Sequence, residues 1–220
     1  MRLRDRLGLS RRRQRQASYL MELVLIGIFF VGVDRGSTTI VVNALVALGV
    51  AQLPPLLERD YDFPLDPALT LWLTSAAFFH AVGVVGLSGP EGQNLYGSIP
   101  WWDHFTHALS ASVVAAAGYV TVRALDEHSP DTDLPPRFVF VFILLFVVAF
   151  GVAWEVLEFG LGEAARAMGN RALLTQYGLE DTLMDLLFDT VGALLVATWG
   201  TAYLGDVAGR VEEVLATRQA

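Results

Sequence analysis

Residues 138–150 read FVFVFILLFVVAF, thirteen consecutive side chains without a polar one. The apolar character continues to about residue 161. That makes a block of roughly 20 residues or more, the length a helix needs to cross the hydrocarbon of a bilayer. Blocks of the same kind cover residues 19–33, 37–53, 69–87, 101–125 and 181–204. Across all 220 residues, 54% are hydrophobic, only 17% are charged, and the mean hydropathy is +0.47. The pattern predicts an all-α, polytopic transmembrane helix bundle of about six spans. It divides into a basic arm at residues 1–18, the bundle at 19–204 and a polar tail at 205–220.

The stretches between blocks carry turn chemistry. Asp34-Arg35-Gly36 reads as a tight turn, and Pro54-Pro55 as the stop of the second span. Residues 58–66 read as a charged loop and residues 88–100 as an irregular one. Residues 126–136 form a polar loop with Pro130, Pro135 and Pro136. The first apolar block follows a basic stretch but ends in no A-x-A-like site, so it reads as a retained signal anchor. No repeat of 20–50 residues is evident.

Charge sets an orientation. All 15 basic residues are arginine and the net charge is −8, an acidic, lysine-free composition of the kind found in salt-loving hosts. Seven of the arginines nevertheless crowd into the first 15 residues. With the N-terminus in the cytoplasm and six spans, twelve arginines fall inside, and Arg35, Arg166 and Arg171 fall outside. The expectation is a multi-pass cell-membrane protein with both termini cytoplasmic. A polybasic arm beside a span sets topology and is not read as a nucleic-acid site. With no cysteine, the chain holds no disulfide, thiolate metal site or cysteine nucleophile.

Ionisable groups inside spans are costly and mark function by default. The fourth span opens Trp101-Trp102-Asp103-His104-Phe105-Thr106-His107. Asp103 and His107 are four apart and share a helix face, as do Glu155 and Glu158 near the end of the fifth span. In the sixth span Asp181, Asp185 and Asp189 form a stripe about 12 Å long, continued by Gly192. The predicted topology brings these groups, from three helices, to the outer end of the bundle. His80 in the third span is a possible fourth element.

With Asp181 set aside as a possible helix cap, the other five carboxylates, close together in a low dielectric, must be protonated in part or neutralised by a cation. Oxygen ligands suit Mg²⁺, Ca²⁺ or Mn²⁺, and an added imidazole favours Zn²⁺, Mn²⁺ or iron. Carboxylates and histidines at i, i+3 and i, i+4 spacing on facing helices are how bundles build metal sites. No Glu-x-x-His pair completes a recognised signature. The expected metal ligands are His107, Glu155, Asp185 and Asp189, with Asp103 or Glu158 as general base. His80, His104 and Asp181 are possible additional members. Plainer roles exist for each. Asp181 suits a cap or a helix-dipole partner, His104 points sideways, and His80 suits a neutral ring bonded to a backbone carbonyl. The remaining acids suit a hydrogen-bonded network between helices. His128 and the acids around it read as solvated loop residues.

The order Trp102-Asp103-x-x-x-His107, Trp154-Glu155-x-x-Glu158, Asp181-Thr182-x-x-Asp185-x-x-x-Asp189-x-x-Gly192 resembles the pattern of the YjdF-type membrane proteins. The resemblance covers residues 69–204, and the first two spans match in character only. A looser similarity to VanZ-like membrane proteins rests on Asp-x-x-x-His followed by acidic motifs. The resemblance implies a multi-span fold and a pattern that includes Asp103, His107, Glu155, Glu158, Asp185 and Asp189. It supplies no activity.

Three functions fit the sequence. The first is a divalent-metal-dependent hydrolase or transferase acting on a lipid or lipid-linked phosphate at the outer leaflet. The second is a cation or proton transporter using the same acids as a relay. Against it, residues 111–120, 138–150 and 191–202 hold no Asp, Glu, His, Lys or Arg. The third is a non-catalytic scaffold or lipid-binding protein whose carboxylates only fix helix packing. The bilayer is the one partner all three share, and the oligomeric state is open.

Overall fold

The computed structural model describes residues 10–63, 65–86, 94–129, 131–169, 174 and 178–219. Among the described residues all regular structure is helical. The helices are α1 (Arg11–Asp34), α2 (Thr38–Ala51), α3 (Leu53–Tyr61), α4 (Pro67–Gly83), the short α5 (Leu95–Ser98), α6 (Trp102–His128), α7 (Pro136–Ala167), α8 (Leu179–Leu195) and α9 (Thr201–Gln219), with a π turn, Val196–Gly200, between the last two. Five stretches are long and apolar enough to cross a membrane: Arg11–Asp34, Thr38–Tyr61, Trp102–His128, Pro136–Ala167 and Leu179–Gly200. The chain is a multi-pass membrane protein. Its described residues fold as two compact units, one up to Trp102 and one from Asp103 onward.

In the first unit, the Ser10 hydroxyl accepts from the Arg13 amide at 3.3 Å and starts α1 inside the basic arm. The arm is therefore helical from Arg11 and continuous with the first span. Gly36, at φ +60°, makes the turn after it, and Ser37 caps α2. Pro54 and Pro55 do interrupt the helix, yet they open α3 rather than begin a loop. A proline in a first turn gives up no intrahelical bond. Helix then replaces the first half of the expected charged loop. Leu25, Ile28, Ile40, Ala44, Ala47 and Ala81 form the core where α1, α2 and α4 meet. Its alanines let the helices approach closely, the packing available where lipid removes the hydrophobic drive.

The expected third span corresponds to α4, with 17 residues against 24 in α1. Helix α4 lies parallel to α1. Arg11 pairs with Asp66 at 3.4 Å, just before α4, and the Arg35 guanidinium donates to the Gly86 carbonyl at 2.9 Å, just after it.

In the second unit, α7 buries Val139, Ile143, Val147, Gly151, Glu155 and Glu158, one stripe at helical spacing. Hydrocarbon gives way to glycine and then to acid along a single face. A side chain on Gly118 would strike the Phe146 ring, which sits in the ladder Phe138–Phe142–Phe146. Helix α6 therefore lies tight against α7. A side chain on Gly192 would strike the backbone of Ala108, so α8 meets α6 main chain to main chain.

Two expectations change at the far end of this unit. Residues 126–128 are the last turn of α6, and Asp126 is buried. It holds Arg123 and accepts the Leu134 amide at 2.8 Å, pinning the connection to α7. His128 lies 3.5 Å from Glu212. The polar tail is helical as α9, which buries Leu204, Val207 and Ala208. Its polarity misled because three and four-residue spacing alone carries its apolar face.

Candidate functional site

Three helices of the second unit bring their acids and histidines together. Asp103, His104 and His107 lie in the first two turns of α6, Glu155 and Glu158 in the second half of α7, and Asp185 and Asp189 on the inward face of α8. Glu155, Glu158, Asp185 and Asp189 are all buried, Asp185 at 1% exposure.

His107 is the hub. Its Nε2 stands 3.7 Å from an Asp103 oxygen and 3.9 Å from Asp185 Oδ1. Its Nδ1 stands 3.2 Å from Asp189 Oδ1, on the opposite side of the ring. His104 Nδ1 faces the same Asp185 oxygen at 3.7 Å, with its ring stacked flat on Phe188 at 4.7 Å. Both the His104 Nδ1 and the Asp185 Oδ1 atoms are buried and make no hydrogen bond. Leaving such groups so costs about 1–3 kcal/mol each, more where a charge is involved.

The α7 acids have partners of their own. The Thr182 hydroxyl donates to Glu155 Oε2 at 2.7 Å, and the Trp154 indole donates to Glu158 Oε1 at 3.1 Å. The Thr106 hydroxyl turns back to the Asp103 carbonyl at 2.8 Å and leaves the cluster.

Asp103, His107 and Asp185 each offer one ligand atom within 4.8 Å of the other two, an arrangement able to hold a metal ion. For bonds of about 2.1 Å, tetrahedral ligand atoms lie about 3.4 Å apart. The separations of 3.7 and 3.9 Å are too long for hydrogen bonds and a few tenths of an ångström from that spacing. Two carboxylates and an imidazole suit Zn²⁺, Mn²⁺ or iron.

Of the expected metal ligands, His107 and Asp185 stand in this trio and Glu155 does not. Asp103 stands among the three convergent groups and Asp189 behind His107. Asp181 occupies the first turn of α8, where it complements the helix dipole. His80 belongs to the first unit. There the Tyr96 hydroxyl lies 2.9 Å from its Nδ1. Thr182 and Trp154 join the site as hydrogen-bond donors beyond the expected residues. Their signal was their place three residues from Asp185 and four from Glu158 on the same helices.

A protein of Thermotoga maritima described as uncharacterized is 33% identical over 146 residues, covering 66% of this chain and 67% of that protein. No solved structure matches the chain. A family model described as "Predicted membrane protein (DUF2238)" matches residues 17–206, and the chain belongs to that family.

Proposed function

We propose that the second unit binds a divalent cation through Asp103, His107 Nε2 and Asp185, and acts on a phosphate-bearing lipid or lipid-linked substrate by hydrolysis or group transfer. The observation that carries the reading is the trio within 4.8 Å around a buried Asp185 oxygen that makes no hydrogen bond. A cation there neutralises carboxylates that would otherwise have to be protonated in part to share a low-dielectric site. When bound, it supplies Lewis-acid polarisation of a phosphoryl oxygen or of water. Glu158, held by the Trp154 indole, is the general base. The substrate class follows from placement. The site lies near the ends of its helices, and in the topology proposed from the arginines, with both termini cytoplasmic, those ends meet the outer head-group layer. The order of motifs is that of the YjdF-type proteins, and we read the two patterns as one.

The test is metal analysis of protein purified in detergent without chelator, beside Asp185→Ala. We expect stoichiometric metal in the first and loss of it in the second. Phosphate release from phosphatidate-containing vesicles then reads the reaction class. Metal-free wild-type protein that also takes up neither Zn²⁺ nor Mn²⁺ on titration would sink the reading.

A further inference from the structure

We propose that Asp189 is the positioning residue that fixes the His107 ring for a cation, and that Gly151 is the seat that lets it do so. The inference rests on the metal reading above and reassigns Asp189, expected as a ligand, to the other side of the imidazole.

The argument starts from the two ring nitrogens. Nδ1 faces Asp189 Oδ1 at 3.2 Å, while Nε2 faces Asp103 and Asp185. An ionised carboxylate only accepts hydrogen bonds, so a ring paired with Asp189 carries its proton on Nδ1. In the neutral imidazole the free lone pair is then on Nε2, aimed at the two carboxylates that complete the trio. Metal-binding histidines are held in this way by a carboxylate on the far nitrogen, which sets both tautomer and ring direction.

The backbone around Asp189 is shaped for the contact. A Cβ on Gly151 would fall on Asp189 Oδ2 and within 2.9 Å of Leu186 Cδ2. One turn on from Asp189, α8 presses against α6 at Gly192 and Ala108. Asp189 is thus clamped between α7 and α6, 6% exposed, with one oxygen on Gly151 and the other on His107. An ion pair serving only to join helices needs no missing side chain on the third helix. Here the glycine is on α7, which shares no bond in the Asp189–His107 pair.

The experiment compares wild type, Asp189→Asn, Gly151→Ala and Asp185→Ala in detergent, reading Co²⁺ affinity and the visible Co²⁺ absorption spectrum. Metal-free thermal melting reports folding. We expect Asp189→Asn to weaken Co²⁺ binding by about 10–100-fold and to change the spectrum. Gly151→Ala should do the same with every ionisable group intact, because it displaces the Asp189 carboxylate. Asp189→Asn keeps the side chain's size and carries the test if Gly151→Ala fails to fold. Wild-type affinity and spectrum in Asp189→Asn, with only the melting temperature moved, overturn this proposal and leave the metal reading standing. No Co²⁺ binding by wild type overturns both.

Discussion

The carbonyl oxygen of Ala108 occupies the place where a side chain on Gly192 would begin. This one contact sets how deep α8 sits against α6, and with it the distance between His107, one residue before Ala108, and Asp189, three before Gly192. Overpacking a close contact costs about 1–3 kcal/mol, and here the obstacle is backbone, which yields least. Gly192→Ala should therefore lower the melting temperature in detergent by several degrees. It should also weaken metal binding, because the helices can separate only by parting the trio. A melting temperature and metal affinity equal to wild type would show that α6 and α8 are not in contact there.

Asp185 should trade stability against binding. Its Oδ1 is buried without a hydrogen bond, an arrangement that costs about 1–3 kcal/mol. A residue kept for function at such a cost gains stability when it is neutralised. Asp185→Asn should melt higher than wild type in chelator, while losing the upward shift that Zn²⁺ or Mn²⁺ gives wild type. That shift amounts to about 2.7 kcal/mol at a hundredfold excess over Kd. A lower melting temperature for Asp185→Asn in chelator would instead support the network reading, in which the acids only join helices.

Thr182 should matter through Glu155. Its hydroxyl donates to the carboxylate at 2.7 Å, a charge-assisted bond worth about 1.5–3 kcal/mol. Thr182→Val keeps the shape and removes the donor. The expected outcome is destabilisation within that range in a melting or denaturant assay, with Thr182→Ser retaining most of the stability. Equal stability of the valine and serine variants would remove Thr182 from the site.

Much of this was legible in the sequence, for definite reasons. The run at 138–150 can only be a long apolar helix, and i, i+4 spacing puts Asp103 beside His107 and Asp185 beside Asp189 whatever the tertiary fold. Which nitrogen of His107 faces which carboxylate was not legible, because it depends on how α8 rotates against α6, and two glycines decide that. Gly151 carried no signal, since its reason for being glycine is an oxygen 38 positions away. Nor did the polar run after Arg123 show a buried acid. Asp126 is buried because it satisfies the Leu134 amide and Arg123, partners that composition does not reveal.

Asp126 supplies a control at the other end of the same helix. It lies about 30 Å from Asp103 and His107 along α6. Asp126→Ala leaves the Leu134 amide and Arg123 without their shared acceptor, at a cost of about 2–3 kcal/mol. It should lower the melting temperature as far as Gly192→Ala does, yet leave Co²⁺ affinity at the wild-type value. A parallel fall in affinity would mean that metal binding reports global stability, and the affinity losses expected above would lose their meaning.

The leaflet that the site faces turns on α4. With 17 residues, α4 is about 25 Å long, at the short end for a span. Its two flanks are nevertheless tied to the two ends of α1, Asp66 to Arg11 and Gly86 to Arg35. A helix fastened at both ends to a spanning neighbour is expected to cross with it, as a sixth span. The absence of cysteine makes the point simple to test with single-cysteine variants and a membrane-impermeant maleimide on intact cells. Asp62→Cys and Thr132→Cys should label only after permeabilisation, and Ser98→Cys and Met168→Cys without it. If Asp62→Cys and Ser98→Cys label alike, α4 does not cross, every later span reverses, and the acids of α6, α7 and α8 face the cytoplasm. The metal reading would survive that result, but its substrate would then be a head group of the inner leaflet.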